Sequence, residues 1–203
     1  MLDTHARKVF DNIFLALAKL FLRIKLRPNH ITGAALVLGL ASGAALYFGY
    51  VVIAVVLLWA SGLLDAVDGS MARLTGLSGP AGAMFDIVSD RIVELAIFWA
   101  LALHHPESLI AMLALLSTIL ISMTVFLTTG MLAQKTSKKS FYYQAGLMER
   151  TEGFIASTAM MLFQNHLTLL TWIYAGLIGV TIVQRLWESA KLLRDRSPYE
   201  GYV

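Results

Sequence analysis

Long apolar tracts, separated by short polar breaks, dominate this sequence. Stretches such as VVIAVVLLWA and AMLALLSTIL are apolar on every side, so they lack the alternation of polarity typical of strands in a membrane β-barrel. Each tract is close to the roughly 20 residues that cross a bilayer as a helix. Only 14% of the residues are charged and 58% are hydrophobic, whereas a soluble domain carries about 25% charged residues. The chain is therefore predicted to be an all-α polytopic membrane protein.

Six transmembrane helices are predicted, at residues 31–47, 50–72, 82–103, 108–133, 148–165 and 168–192. Before them, residues 5–27 repeat apolar side chains at helical spacing, with most charged residues on the opposite face. This pattern is typical of an amphipathic helix in the membrane interface, and it is also compatible with packing against the bundle. Pro28 ends this helix, and Asn29 or Thr32 is expected to cap the first span. The predicted organisation is an interfacial helix at 1–28 and one six-helix domain at 29–203.

The distribution of basic residues predicts the orientation. None of the 16 lysines and arginines lies in the breaks YFGY, HHPES and NHLT. Because Lys and Arg collect in cytoplasmic loops, both termini are predicted to be cytoplasmic, in a multi-pass protein of the cell membrane without a cleaved signal peptide. The absence of cysteine excludes disulfides, thiolate metal sites and a cysteine nucleophile. The bilayer is an expected partner, and nucleic acid is not.

Four aspartates lie at the cytoplasmic ends of the second and third predicted spans. Asp65 and Asp68 are three residues apart, and Asp86 and Asp90 are four apart, so each pair shares one face of its helix. The connection at 74–81 contains glycine and proline and would fold the two helices back antiparallel. The four carboxylates are therefore predicted to converge.

Such a cluster requires a compensating cation, because like charges at a membrane edge repel one another and lose hydration. Carboxylate oxygens without nearby His or Cys favour Mg²⁺, Mn²⁺ or Ca²⁺ over zinc, and two such ions would create a phosphoryl-transfer site. Gly69 leaves space for a ligand, and the planar guanidinium of Arg73 suits a phosphate. Gly82 is expected to allow close helix packing. The alternative is that the aspartates are solvated or pair with Arg73 and Arg91.

The spacing of these residues resembles the signature of the CDP-alcohol phosphatidyltransferases: Asp65-x2-Asp68-Gly69-x2-Ala72-Arg73-x8-Gly82-x3-Asp86-x3-Asp90. The resemblance extends over nearly the whole chain, and PNHIT at 28–32 is similar to the family's Pro-Asn-x-x-Thr. It implies an enzyme that uses divalent metal, usually Mg²⁺ or Mn²⁺, to replace the CMP of a CDP-linked lipid with an alcohol. The products would be a phospholipid and CMP. Members of this family are commonly homodimers.

The resemblance also implies a role for individual residues. Asp65, Asp68 and Asp86 would bind metal, and Asp90 would be the general base and a further metal ligand. The residues that would bind the CDP-lipid are Asn29, His30, Ile31, Thr32, Gly69, Ala72 and Arg73.

The acceptor is predicted from two shorter stretches. GLMERTEG at 146–153 is similar to a Glu-Arg-x-Glu-Arg stretch in the branch of the family that uses inositol phosphate, and VQRL at 183–186 is similar to another. In that branch, the second arginine of the first stretch and the arginine of the second bind the acceptor's phosphate. Arg185 matches, whereas Gly153 occupies the other position. The basic residues expected to bind the acceptor are Lys135, Lys138, Lys139, Arg150 and Arg185.

A phosphorylated acceptor, glycerol 3-phosphate or inositol phosphate, is therefore predicted, with inositol or serine as the alternative. The three lysines are equally well explained by topology signalling. A cation-coupled transporter would place its acids near the midplane and continue a polar path outward, which the second and third spans lack. An aromatic prenyltransferase also uses aspartates and Mg²⁺, but without the Asp-Gly-x2-Ala-Arg core.

Overall fold

The computed structural model describes residues 2–76, 79–134 and 146–194. The regular elements in these ranges are helices, and none of the described residues forms a strand, which confirms the all-α class. The helices are α1 (Leu2–Arg23), α2 (Pro28–Tyr47), α3 (Val51–Thr75), α4 (Pro80–His104), α5 (Leu109–Gln134), α6 (Arg150–Leu162) and α7 (Leu167–Arg194). Two short 3-10 turns, Pro106–Ser108 and Gln164–His166, lead into α5 and α7.

A helix is present at each of the six predicted spans. Four of the helical segments are long and apolar enough to cross a membrane: Pro28–Tyr47, Val51–Thr75, Pro106–Leu132 and Gln164–Leu193. Helix α4 has 25 residues but carries four charged side chains, Asp86, Asp90, Arg91 and Glu94. Helix α6 has 13 residues, a length of about 20 Å, which is shorter than the roughly 30 Å hydrocarbon core. The chain is thus a membrane protein, and the total of six spans stays a prediction.

The bounds of two helices follow from local chemistry. Gly76, with φ of +65°, ends α3 in the left-handed region that glycine adopts without steric cost, and Pro80 is the first residue of α4. The prediction that Asn29 or Thr32 caps the first span was wrong. Arg27 occupies the N-cap position and Pro28 begins the helix, because the proline ring fixes the helical φ and the missing N–H has no partner there.

Helix α2 packs along both α3 and α4. Its close approach to α4 depends on Gly39 and Gly43: a Cβ on Gly43 would lie 2.8 Å from the Ala96 Cβ and 2.9 Å from the Ala96 carbonyl oxygen. Two small residues four apart are typical of tightly packed membrane helices. The expected close packing at Gly82 was wrong, since a Cβ there would meet the Asn29 side chain at an ordinary 3.6 Å.

The connections at one end of the bundle are joined by hydrogen bonds. His104 Nε2 lies 2.7 Å from the Tyr47 carbonyl oxygen, His105 Nε2 lies 3.0 Å from Gln164 Oε1, and Ser108 and Thr168 share a hydrogen bond of 2.8 Å. We call this the loop end. The main apolar core, which includes Phe98, Leu101, Leu115, Met160 and Leu167, lies next to it.

Helix α1 covers part of the bundle near the opposite end. Its Ala18 is fully buried in a small apolar cluster with Ile31, Val67 and Met71. The opposite face leaves large apolar side chains exposed, such as Ile13 and Leu20. The helix predicted for 1–28 is therefore present and packs against the bundle, and its position in the membrane interface stays a prediction.

Candidate active site

Three of the four aspartates meet away from the loop end. Asp65 and Asp68 on α3 and Asp86 on α4 each offer a carboxylate oxygen, and these oxygens lie within 4.8 Å of one another. Asp65 and Asp68 are buried. The helical spacing explains the arrangement, because residues three or four apart project from the same face. Asp90 lies one turn further along α4 and belongs to the same group through a shared arginine.

That arginine is Arg150, the first residue of α6. Its Nη1 contacts Asp65 Oδ2, and its Nη2 donates a hydrogen bond of 3.0 Å to Asp90 Oδ1. The alternative partners considered for the aspartates do not pair with them in the described part of the chain. Arg73 instead donates to the Ser70 hydroxyl at 2.9 Å, and Arg91 forms an ion pair with Glu94.

The carboxylate of Asp68 is oriented by α2. Thr32 is 4% exposed, and its hydroxyl donates to Asp68 Oδ2 at 2.5 Å. The same hydroxyl lies 3.2 Å from the Pro28 carbonyl oxygen. The first turns of α2 therefore hold one acid of the cluster in place, which gives the PNHIT segment a structural link to the site.

The cluster suits a divalent cation. Asp86 Oδ1 is buried and has no hydrogen-bond partner among the described residues, although buried polar atoms are nearly always paired. One guanidinium offsets the charge of only one carboxylate, so Arg150 cannot compensate the negative charge of all the aspartates in the cluster. A set of carboxylate oxygens is the donor set that Mg²⁺ and Mn²⁺ prefer. The residues present therefore fit the predicted metal.

Two cavities adjoin the cluster and are lined by different sets of helices. The first, about 480 Å³ and here called the donor cavity, is lined by Phe14, Trp59, Gly62, Leu63, Asp65, Ala66, Asp68, Gly69, Arg73, Asp86, Arg150, Thr151 and Phe154. The second, about 360 Å³ and here called the acceptor cavity, is lined by residues of α4, α5, α6 and α7. Asp86 and Arg150 line both cavities. Asp65 and Asp68 line the donor cavity alone, and Asp90 lines the acceptor cavity alone.

Only some of the residues predicted to bind the CDP-lipid line the donor cavity. Gly69 and Arg73 line the donor cavity, whereas Ala72 and residues 29–32 are not among its lining residues. Ile31 is 4% exposed and belongs to the apolar cluster beneath α1. His30 lies at the exposed N-terminus of α2, where its Nδ1 accepts a hydrogen bond of 3.4 Å from the Arg27 backbone N–H.

Two of the five residues predicted to bind the acceptor line the acceptor cavity. Arg185 is 8% exposed and lines the acceptor cavity. Its Nη1 donates to the Ser122 hydroxyl at 3.0 Å, and its guanidinium lies 5.0 Å from the centroid of the Phe126 ring. Arg150 lines the same cavity but is bound to the aspartates. Lys135, Lys138 and Lys139 lie outside the described residues.

Sequence reasoning missed several residues of the site. Trp59 and Phe154 form an edge-to-face pair in the wall of the donor cavity, with ring centroids 6.0 Å apart. Tyr174 lines the acceptor cavity from α7. Phe154 is four residues after Arg150, so the spacing that places both on one face of a helix was available in the sequence. Nothing in the sequence alone distinguished Tyr174.

Comparison with known proteins extends this description. The profile of the CDP-alcohol phosphatidyltransferase family matches residues 25–184. A phosphatidylinositol phosphate synthase of Corynebacterium glutamicum is 29% identical over 199 residues, which cover 94% of this chain and 90% of that protein. An archaetidylinositol phosphate synthase of Aeropyrum pernix is 32% identical over 176 residues, which cover 85% of this chain and 87% of that protein.

The fold matches solved structures as well. A crystal structure of Mycobacterium tuberculosis phosphatidylinositol phosphate synthase with CDP-DAG bound superimposes with a TM-score of 0.68 and 25% identity, covering 88% of this chain and 94% of that chain. The matched profile runs from the residues before α2 into the second half of α7, and therefore spans every helix that lines the acid cluster. This membrane protein thus belongs to the CDP-alcohol phosphatidyltransferase family, and it is an enzyme of that class.

Proposed function

We propose that this enzyme joins the phosphatidyl group of a CDP-diacylglycerol to a phosphorylated alcohol, with inositol phosphate as the acceptor, and releases CMP. The observation that supports the proposal best is the meeting of two cavities at Asp86 and Arg150. One cavity holds the candidate metal ligands, and the other holds the candidate base. Family membership favours this reaction over the transporter and prenyltransferase alternatives.

The donor cavity is lined by charged and by apolar side chains, which suits a lipid that carries a pyrophosphate. At one end, Asp65, Asp68 and Asp86 would hold Mg²⁺ or Mn²⁺, with Arg73 beside them on α3. At the other, Trp59 and Phe154 supply an aromatic, apolar wall that suits the lipid's hydrocarbon. The metal, when bound, would offset the negative charge that builds up on the phosphate oxygens. The Thr32 hydroxyl keeps the Asp68 carboxylate oriented for that role.

The transfer itself requires one proton acceptor. The hydroxyl oxygen of the acceptor attacks the lipid-bearing phosphorus, and the bond from this phosphorus to the oxygen of CMP breaks, so that CMP leaves with the electron pair. The hydroxyl proton passes to a carboxylate oxygen of Asp90, which lines the acceptor cavity. Arg150 holds Asp90 through one nitrogen and leaves the second carboxylate oxygen to meet the substrate. A base must lie within hydrogen-bond reach of the proton it removes.

The acceptor's phosphate is assigned to Arg185. A buried guanidinium held by Ser122 and Phe126 is fixed in orientation, and its planar fork suits phosphate oxygens. The relatives from C. glutamicum and A. pernix, named as inositol phosphate lipid synthases, support inositol phosphate over glycerol 3-phosphate. Lys135, Lys138 and Lys139 remain candidates for additional phosphate contacts.

The active site is assigned to the cytoplasmic face. The loop end gathers three connections that contain no Lys or Arg, and the acids lie towards the opposite end. This arrangement supports six antiparallel helices within the membrane. Apolar side chains exposed on α1, such as Ile13 and Leu20, support its placement in the lipid interface.

Release of CMP tests the proposed function directly. The purified protein is incubated with CDP-diacylglycerol, Mg²⁺ or Mn²⁺ and a panel of acceptors: inositol phosphate, glycerol 3-phosphate, inositol and serine. We expect CMP release with inositol phosphate, and none with the Asp90→Asn or Asp68→Ala variants or in EDTA. Glu107→Gln, at the loop end, is the matched carboxylate control. If CMP release from the wild type never exceeds that of Asp90→Asn, the proposed function is wrong.

A further inference from the structure

Tyr174 is a buried residue of the acceptor cavity whose hydroxyl has no role in the proposed chemistry. It is 5% exposed, and it lines the cavity from α7. Its ring packs edge-to-face against Phe98, with centroids 6.5 Å apart. Among the described residues, no group makes a hydrogen bond with its hydroxyl. A buried tyrosine hydroxyl usually has a partner, so this one is placed to bind a ligand.

The position of Tyr174 sets it apart from the phosphate-binding end. Helix α7 begins at the loop end, and Arg185 follows Tyr174 by eleven residues, which is about 16 Å along the helix. Phe98, which packs against Tyr174, lies two turns beyond Asp90 along α4, towards the loop end. Tyr174 therefore forms the floor of the cavity, with Asp90 between the floor and Arg185.

The floor is polar but carries little net charge. Glu94 and Arg91 are the charged neighbours of Tyr174, and they form an ion pair with each other. The acceptor's phosphate is assigned to Arg185, which lines the same cavity, whereas an uncharged hydroxyl group of the acceptor matches the phenol at the floor. This division of polarity orients an acceptor that has a phosphate at one end and hydroxyls at the other.

Gly153 on α6 leaves the space that this contact needs. A Cβ at position 153 would lie 3.0 Å from the Tyr174 hydroxyl oxygen, which is tighter than ordinary van der Waals contact, so the tyrosine would have to move by a few tenths of an ångström. Gly153 lines the same cavity. The absence of a side chain thus keeps the hydroxyl open towards the bound substrate.

We propose that Tyr174 is a specificity-determining residue, whose hydroxyl binds a hydroxyl group of the acceptor in the space left open by Gly153. The ligand class is a polyol phosphate, bound with its phosphate towards Arg185 and its hydroxyls towards Tyr174. This inference rests on the proposed function, because it concerns the orientation of the acceptor in that reaction.

The test compares the KM for three substrates in Tyr174→Phe, which keeps the ring against Phe98. We expect the KM for inositol phosphate to rise about fivefold, with kcat nearly unchanged. The KM for CDP-diacylglycerol should stay constant, and the effect on glycerol 3-phosphate, which has fewer hydroxyls, should be smaller. Tyr50→Phe, at the exposed loop end, is the matched control.

A second variant tests the space rather than the hydroxyl. Gly153→Ala places a methyl group against the Tyr174 oxygen, so the KM for inositol phosphate should rise, and the double variant should show less than the product of the two effects. Gly176→Ala is its control, since no atom lies within 4 Å of the added methyl. Thermal unfolding of each variant reports its folding.

The outcomes separate this inference from the proposed function. An unchanged KM for inositol phosphate in Tyr174→Phe overturns the inference alone, as does an equal rise for both acceptors and the CDP-lipid. Absence of CMP release from the wild type with either phosphorylated acceptor overturns both the inference and the proposed function.

Discussion

Arg150 Nη2 donates a hydrogen bond of 3.0 Å to Asp90 Oδ1, although 60 residues separate the two in the sequence. The other terminal nitrogen of the same guanidinium contacts Asp65 on α3. One side chain of α6 therefore ties α3 to α4 at the point where the two cavities meet, and it occupies space next to the candidate metal ligands.

Substitution of Arg150 by glutamine should lower the stability of the metal-free protein and increase its response to metal. Removing the guanidinium leaves buried carboxylates with less compensation, which costs about 1–3 kcal/mol. Thermal unfolding in EDTA and in Mn²⁺ measures the effect, with Lys191→Gln as a control, since Lys191 lies over the Trp187 ring. We expect Mn²⁺ to raise the Tm of Arg150→Gln more than that of the wild type. Equal shifts in both proteins would contradict this prediction.

Replacement of Thr32 by valine should weaken metal activation without unfolding the protein. Valine keeps the volume of threonine but cannot donate to Asp68 Oδ2. Loss of a hydrogen bond that orients a metal ligand costs about 10- to 100-fold in metal affinity or activity. The Mn²⁺ concentration for half-maximal CMP release should therefore rise about tenfold. Thr124→Val, on the exposed side of α5, should leave that concentration unchanged, and a similar change in both variants would remove the assigned role of Thr32.

Alanine at Gly43 should destabilise the packing of α2 on α4. The added Cβ would lie 2.9 Å from backbone atoms of Ala96, and backbone cannot move aside as a flexible side chain can. Overpacking of this kind costs about 1–3 kcal/mol. Gly33→Ala is the matched control on the same helix, because nothing lies within 4 Å of its Cβ. A Tm for Gly43→Ala as high as that for Gly33→Ala would show that the two helices can separate at no cost.

His105 should make the stability of the loop end depend on pH. A hydrogen bond with Gln164 and, to a smaller extent, one with Glu107 raise the pKa of His105 above its ordinary value. Because the pKa of His105 is higher in the folded protein than in the unfolded chain, the protonated imidazole stabilises the fold. This stabilisation is complete below the pKa of the unfolded chain, near 6.5, and it is lost as the pH rises through the pKa of the folded protein. His105→Ala should therefore lower the Tm more at pH 6 than at pH 8.5. If the variant lowers the Tm equally at the two pH values, the protonated imidazole of His105 contributes nothing to stability.

The sequence predicted the parts of the site that depend on helical spacing. Asp65, Asp68 and Asp86 converge because intervals of three or four residues place side chains on one helix face, and the glycine and proline after α3 form the expected turn. Apolar tract length likewise placed all six helices of the bundle within a few residues, with α6 the shortest.

Contacts between distant segments were beyond this reasoning. The pairing of Arg150 with Asp65 and Asp90 depends on where α6 docks, and no local pattern encodes that position. Ile31 lies in the PNHIT segment predicted to bind the CDP-lipid but is buried beneath α1, because the rotation of α2 about its axis is set by packing against neighbouring helices. The Gly39 and Gly43 pair was visible in the sequence, yet its partner helix was not.

The wall shared by the two cavities has a kinetic consequence. In the proposed function, the lipid and the water-soluble acceptor occupy separate cavities that share Asp86 and Arg150, so neither substrate needs to leave before the other enters. We therefore expect both to be present when the bond forms, with the transfer proceeding by one in-line displacement within a ternary complex. Such a displacement inverts the configuration at phosphorus, so the stereochemistry of the product records the arrangement of the two cavities.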